Sequence, residues 1–532
     1  MSVRRRPLSD ELGAAAAVED AFARAAFTTL RALLKVVAPR DRAESARIEL
    51  VRARLARVDG DIKTSDAAAR AAATRHLEPN ARLFARALIA AAAKQAGRQE
   101  EAAQIFAAVE RAADVMRPMD SGPALYLLAL DAWQERDFSR ADALLARNLR
   151  AAAHVPESLA LRGWIEIRRE RYAAAGVEFE AALAALDACG QTDERLRARL
   201  VHALANVAAE TIDLALGARA RAAYDRIDWS ADLPIERVNT LGALRYVALL
   251  AGDFERAWLD ARDAAVIAPR GPYAVLAETG VAHASRVLGD ERAADAALAR
   301  AWHGLRAHRW SAADEESRVA LTNFAIHAAT TMPAEARKAI TLYRSSATRS
   351  NALNALDRDR RVKAFEATAA GRVNEALGDH AAALRSYGFA FDIWRELGYD
   401  LRAALVALDL RRITGSTRYA KVVRAALERA PAAWFGAALR APQDPLQRLT
   451  PAERRVLAEL LAGKSAKAIA ESLARSPHTV INHTRKVFAA FDVRSRPRLL
   501  ARCEELGITA TSDHLPRSRK LRVPRAVRIA QA

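Results

Sequence analysis

Between residues 129 and 179 the chain repeats itself at an offset of thirty-four positions: Phe138, Ala141 and Leu145 return as Tyr172, Ala175 and Phe179, and Ala129 returns as Gly163. A fixed short period confines the fold strongly. Each unit must be one supersecondary element that cannot cover its apolar face alone and therefore stacks on the next. The residue types name the element, because a small residue lets two helix axes approach while an aromatic fills the hole between one hairpin and its neighbour. A third unit carries Phe254, Ala257, Ala261 and Ala264 and stops at Pro269. Weaker copies run from Gly97 to Val109, through Gly289, Asp290 and Leu298, and through Gly378, Ala383, Tyr387 and Ala390. Gly252-Asp253, Gly289-Asp290 and Gly378-Asp379 mark turns between paired helices. Composition agrees: hydrophobic residues make up 52% but aromatics only 6%, a balance that favours helices over sheets. A chain of 532 residues is also too long for one compact core.

The units resemble the tetratricopeptide repeat. That resemblance implies a helical solenoid over residues 76–440, whose concave surface binds a protein or small effector or else serves as a spacer or scaffold. Residues 1–75 read as helical segments, with one helix before Pro39 and an arginine-rich one stopping at Gly60. Trp133, Trp164, Trp258, Trp302 and Trp394 are expected in the core, and Tyr246, His283 and His327 as satisfied interior residues. After Gly415 two short helices are expected on either side of Pro431. Residues 441–448, with Pro442 and Pro445, read as a polar linker.

The stretch 449–508 is punctuated differently. Thr450, Pro451 and Glu453 form a capping box with proline at the first helical position. Val456, Leu457, Leu460 and Leu461 follow on one face, and Gly463 ends the helix. Ser465 caps a short second helix carrying Ile469 and Leu473. Ser476, followed by Pro477, caps a third helix whose buried face reads Val480, Thr484, Val487 and Phe491, leaving Ile481, Asn482, Arg485 and Lys486 outward. Ser495 opens a fourth that closes at Gly507. Two short helices joined by a tight turn, the second with a polar cationic outer face, suit the DNA major groove. Gly463-Lys464-Ser465 imitates the end of a phosphate-binding loop, but Ala458 stands where that loop needs glycine.

This stretch resembles the C-terminal DNA-binding domain of LuxR-type (GerE-like) transcriptional regulators. The motifs are Leu449-Thr450-Pro451-x-Glu453, Gly463-x-Ser465-x-Lys467-x-Ile469-Ala470, His478-Thr479-Val480-x-x-His483 and Val493-x-Ser495-Arg496. The resemblance implies an all-α chain: a tetratricopeptide-like solenoid followed by a four-helix helix-turn-helix domain. It places Ile481, Asn482 and Arg485 at base-reading positions and Lys467, Thr479 and Lys486 at phosphate or backbone contacts. It further implies a homodimer paired through the fourth helix, double-stranded DNA carrying an inverted repeat, and RNA polymerase as a further partner. The chain departs from the family pattern at Ile481, where a basic residue is usual, at Thr484 and Ala468, and at Asp492, where glycine is common.

The formal charge is +19 and the pI near 10.5, which points to an acidic partner, nucleic acid first. From Leu449 onward 17 Lys and Arg face 7 Asp and Glu, so over half the excess sits with the DNA reader. Residues 509–532, with Arg517, Arg519, Lys520, Arg522, Arg525 and Arg528, read as a disordered basic tail. Only Cys189 and Cys503 occur, so no disulfide framework is available and a cytoplasmic location is expected. The start is a weak signal-peptide candidate, and no apolar run is long enough to span a membrane. Without a Walker pattern, a receiver-like alternation of strands and helices, a nucleophile motif or metal-ligand spacing, neither catalysis nor a cofactor is expected. Two functions remain: a sequence-specific transcriptional regulator with an effector-sensing array, or an interaction scaffold whose C-terminal domain binds protein or binds nucleic acid without preference.

Overall fold

The computed structural model describes residues 13–508 apart from 75, 190–192, 230–231, 309, 311–314, 348–359, 437–444, 492 and 506–507. Among these residues the secondary structure is helical, with no strand. Helices α1 (Ala14–Ala23) and α2 (Phe27–Val36) precede a series of hairpins. These pair α3 (Arg42–Val58) with α4 (Ile62–Ala72), α5 (Pro79–Gln95) with α6 (Gln99–Val115), α7 (Pro118–Gln134) with α8 (Phe138–Arg150), and α9 (Val155–Arg168) with α10 (Tyr172–Ala188). Next come α11 (Glu194–Thr211) with α12 (Leu214–Tyr224), α13 (Pro234–Ala251) with α14 (Phe254–Ile267), and α15 (Pro272–Val287) with α16 (Glu291–Ala307). The series ends with α17 (Glu315–Ala328) and α18 (Pro333–Ala347), α19 (Arg360–Ala376) and α20 (His380–Glu396), and α21 (Asp400–Thr414) and α22 (Thr417–Arg429). The α3–α4 hairpin already packs against α5, so stacking crosses residue 76 without a break.

The Gly-Asp pairs work as one device. Gly252, Gly289 and Gly378 have φ of +82, +83 and +84, the left-handed turn that glycine adopts without steric cost. The aspartate after each then caps the next helix: Asp253, Asp290 and Asp379 accept from the backbone N–H of Arg256, Ala293 and Ala382 at 2.9–3.0 Å. The thirty-four-residue pair turns without glycine, through Arg136 and Glu170 at φ +64 and +65. Between the helices of a hairpin, Gly163 lies under the Phe179 ring so closely that a Cβ there would fall 2.4 Å from it. Gly371 lies under Tyr387 in the same way, at 2.5 Å.

The solenoid closes on itself. Helix α21 packs back against α11, and residues far apart in sequence meet there. The Arg402 guanidinium sits 2.7 Å from the Glu210 carboxylate, the Tyr172 and Tyr399 rings stand edge to face at 4.3 Å, and Arg429 donates to the Thr211 carbonyl. One apolar core therefore contains residues of both ends of this turn. The expected concave surface is a deep, half-open hollow walled by α11, α13, α15, α17, α19 and α21.

Trp394 is buried at 1% exposure, and Trp133, Trp164, Trp258 and Trp302 pack half-buried on the cores. Tyr246, His283 and His327 lie in the interior as expected, Tyr246 as part of the apolar core and all three in the wall of the hollow, because the first helix of each hairpin turns that face inward. The helix expected after Pro431 does not begin there: Pro431, Ala432, Trp434 and Phe435 lie in turns, with Ala432 seated where a Cβ on Gly252 would fall 2.6 Å away; Gly436 is helical, and residues 437–440 lie outside the described residues. So do 441–444, the first half of the expected linker, whereas its second half, Pro445–Arg448, is a 3-10 turn that packs on α21. The basic tail 509–532, Asp492 and Gly507 also lie outside them. Among the described residues no helix is long and apolar enough to cross a membrane and no cluster of three or more ligating side chains could hold a metal ion.

Candidate nucleic-acid interface

The C-terminal unit is built from α23 (Pro451–Leu461), α24 (Ala466–Ser472), α25 (Pro477–Ala490) and α26 (Arg496–Glu505). Each of the first three starts on the cap its sequence encodes. Thr450 Oγ1 accepts from the Glu453 N–H at 3.3 Å while the Glu453 carboxylate accepts from the Thr450 N–H at 2.8 Å. Ser465 Oγ accepts from the Ala468 N–H at 3.3 Å, so the cap holds although its third helical position is alanine. Ser476 Oγ accepts from the Thr479 N–H at 3.1 Å. Gly463 ends α23 at φ +85, and Ala474 takes φ +50 in the turn between α24 and α25. Lys464 pairs with Glu459 at 2.6 Å, so the Gly463-Lys464-Ser465 stretch is a helix C-terminus followed by a cap and not a phosphate cradle.

A small core fixes these helices. Val456, Leu457, Ile469, Val480, Val487 and Leu499 are its centre, and Leu446 of the 3-10 turn belongs to it. Thr484 sits half-buried on the inner side of α25 and its hydroxyl donates to the Val480 carbonyl at 2.8 Å. A polar atom at that position is thereby satisfied inside its own helix.

Ile481, Asn482 and Arg485 come together on the outer face of α25 and all are exposed, Ile481 at 42%, as a spacing of one and three residues along a helix requires. Lys486 is exposed beside them, but its ammonium lies 3.3 Å from Glu453, so it braces the α23 cap as well as facing solvent. Burial would push the Glu453 carboxyl up; the Thr450 N–H and hydroxyl and the Lys486 ammonium outweigh it and hold it below the ordinary carboxylate range. Lys467 is exposed on the first turn of α24. Thr479 is half-buried, its hydroxyl shared with Ser476 at 2.8 Å. Sequence reasoning passed over Arg475, which stands exposed in the turn just before the Ser476 cap; an arginine directly preceding an N-cap was its signal. A rigid helix carrying an amide, a guanidinium and an apolar tip in one row can hydrogen-bond base edges and touch a thymine methyl.

The family profile of bacterial regulatory proteins of the luxR family (GerE) matches residues 447–502. This segment is a LuxR-family helix-turn-helix domain. The match begins two residues before the expected boundary, inside the 3-10 turn that Leu446 anchors to the core. No curated protein matches the chain. Among solved structures, a crystal structure of the APC/C hetero-tetramer Cut9-Hcn1 matches at 13% identity, covering 93% of this chain and 96% of that one, with a TM-score of 0.26. At that score it carries no argument about the array, whose architecture rests on its own helix packing.

Proposed function

We propose that the chain is a sequence-specific transcriptional regulator in which the closed helical array senses an effector and the LuxR-family domain reads promoter DNA. The observation that carries the reading is the exposed row of Ile481, Asn482 and Arg485 on α25, in a domain where Lys467 on α24 and Arg475 in the turn before α25 are also exposed. In this reading the row meets base edges, while Lys467, Thr479, Arg475 and Lys486 meet phosphates. The protein binds as a homodimer on an inverted repeat, pairing through α26, where Leu500 is 41% exposed. RNA polymerase is the partner through which promoter occupancy becomes transcription.

A second reading, an interaction scaffold whose C-terminal domain binds nucleic acid without preference, draws on Ile481, which cannot donate to a base or pair with a phosphate. Selection of full-length protein against a random DNA pool separates the two. The regulator enriches a recurring inverted repeat, and the scaffold enriches DNA with no shared sequence.

A further inference from the structure

The hollow inside the closed array has two adjoining lobes, of about 290 and 670 Å³, that share Tyr246, His327, Phe365 and Arg402 as common wall. The larger falls in the range of small-molecule sites. Its polarity is one-sided: Arg245, Arg286, Arg361, Arg372 and Arg402 line the two lobes against the single carboxylate of Glu210. Most of these cations have protein anions. Arg402 pairs with Glu210 at 2.7 Å, Arg372 with Asp409 at 3.1 Å, and Arg286 with Glu291 at 3.1 Å.

Arg245 does not. It is 7% exposed, lies over the Tyr246 ring at 4.3 Å and has its Nη1 2.9 Å from Nδ1 of His283. Among the described residues no carboxylate pairs with it. Gly280 lies beside it, where a Cβ would make only ordinary contact with the guanidinium at 3.4 Å. A buried cation without a counter-ion is costly unless something supplies the anion.

The groups around it register the same field. Burial, then the cations nearby, hold His283 and His327 well below the usual histidine range, so both rings are neutral. Burial would raise the Tyr246 phenol, yet Arg402 and Arg245 outweigh it and lower it. Phe365, Trp394 and Trp434 give the larger lobe broad apolar surfaces, beside the hydroxyls of Thr330 and Thr368. We infer that this cavity is the effector site, and that it takes a small organic anion, a carboxylate or phosphate on a planar apolar body, with Arg245 as its counter-ion. The inference rests on the regulator reading above for its role and on the cavity alone for its chemistry.

The site also has a route outward. Pro431–Trp434, which precedes the DNA-binding domain, lines the larger lobe, with the Trp434 ring 5.4 Å from that of His283. Helix α21, which carries Arg402 into the cavity, packs on the 3-10 turn that opens the LuxR-family domain. A ligand that binds one arrangement of these two elements better than another shifts the equilibrium between them.

Calorimetric titration of the full-length protein with benzoate, phenylacetate and phenyl phosphate, against benzyl alcohol and benzylamine, tests this. At least one anion binds about tenfold or more tightly than its neutral and cationic counterparts; a carboxylate preferred over phenyl phosphate assigns the effector to the carboxylic acids, and the reverse to phosphate monoesters. Arg245→Gln abolishes the preference while the melting temperature stays at or above wild type, because the substitution removes an unpaired buried charge. Gly242→Leu, at a position on the smaller lobe where a Cβ meets nothing within 4 Å, blocks binding without altering any charge. Equal binding of charged and neutral probes, or no anion binding at millimolar concentration, overturns the inference. DNA selection on the same preparation separates the failures: a recurring sequence without anion binding sinks the effector site alone, and anion binding at Arg245 without a recurring sequence sinks its regulatory role.

Discussion

Arg496 shows how one side chain can hold a domain together through partners far from it in sequence. Its guanidinium donates to the carbonyls of Leu460 and Lys464, at the end of α23 and in the turn after it. Carbonyls at a helix C-terminus lack partners within the helix, so a fork of donors from another element closes that end. Arg496→Ala should lower the unfolding free energy of the domain by about 1.5–3 kcal/mol, read as faster amide exchange in α23 and α26. Arg496→Lys should not restore it, because a single ammonium cannot span both carbonyls; full rescue by lysine would contradict the role. The family motif ends on this arginine and makes it noticeable, but its partners lie more than thirty residues away, beyond any local spacing. The outward row was legible for the opposite reason. Caps at Thr450, Ser465 and Ser476 set the register of each helix, and register alone decides that Ile481, Asn482 and Arg485 share a face. The brace between Lys486 and Glu453 was not legible, since it depends on how α25 crosses α23.

Within the array, the hairpin is the unit that sequence encodes most plainly. The relation of Gly163 to Phe179 recurs between Gly371 and Tyr387 at the same separation, so one packing solution serves two distant hairpins. Gly163→Ala places a methyl within 2.4 Å of the Phe179 ring and should destabilise the array by about 1–3 kcal/mol, despite the better helix propensity of alanine. Gly388→Ala, inside α20 where a Cβ meets nothing within 4 Å, should instead be neutral or stabilise by up to about 1 kcal/mol. Urea unfolding of both variants checks the contrast, and equal effects would refute the packing argument. The helix expected after Pro431 starts later than its apolar run: Ala432, Ala433 and Trp434 serve the cavity wall, and an apolar run alone does not place a helix's first turn.

Closure belongs to the whole molecule, and nothing in the repeat pattern announces it. Glu210 and Arg402 are ordinary residues on two helices until the superhelix has turned far enough to bring them together. The array also buries titratable groups. His202 is pushed down to about 4 by burial and then by Arg199, and His283 and His327 stay well below the usual range. In the unfolded chain each takes up a proton near its ordinary value of about 6.5, while the folded protein stays neutral. Stability is therefore complete above about pH 6.5 and falls as pH drops toward the folded values, by about 1.4 kcal/mol for each tenfold difference in proton affinity. Glu157, raised by burial to about 7, opposes this, and with His154, lowered to about 4 by burial and then by Arg54, forms a pair whose contributions partly cancel. The melting temperature should fall between pH 7 and 5, less steeply in a variant carrying both His283→Asn and His327→Asn. An unchanged slope would show that the two rings are not held neutral.

The central claim is that the outer row of α25 meets bases while its neighbours meet phosphates. It is tested most directly by the affinity of full-length protein, Arg485→Ala and Lys486→Ala for a selected and a scrambled sequence, measured across salt concentration. Arg485→Ala should lose about 1–3 kcal/mol on the selected sequence and relax the choice of base at one position. Lys486→Ala should weaken both sequences alike and reduce the salt slope by about 1. If the two variants behave identically on both sequences, the assignment of base reading to this row is wrong.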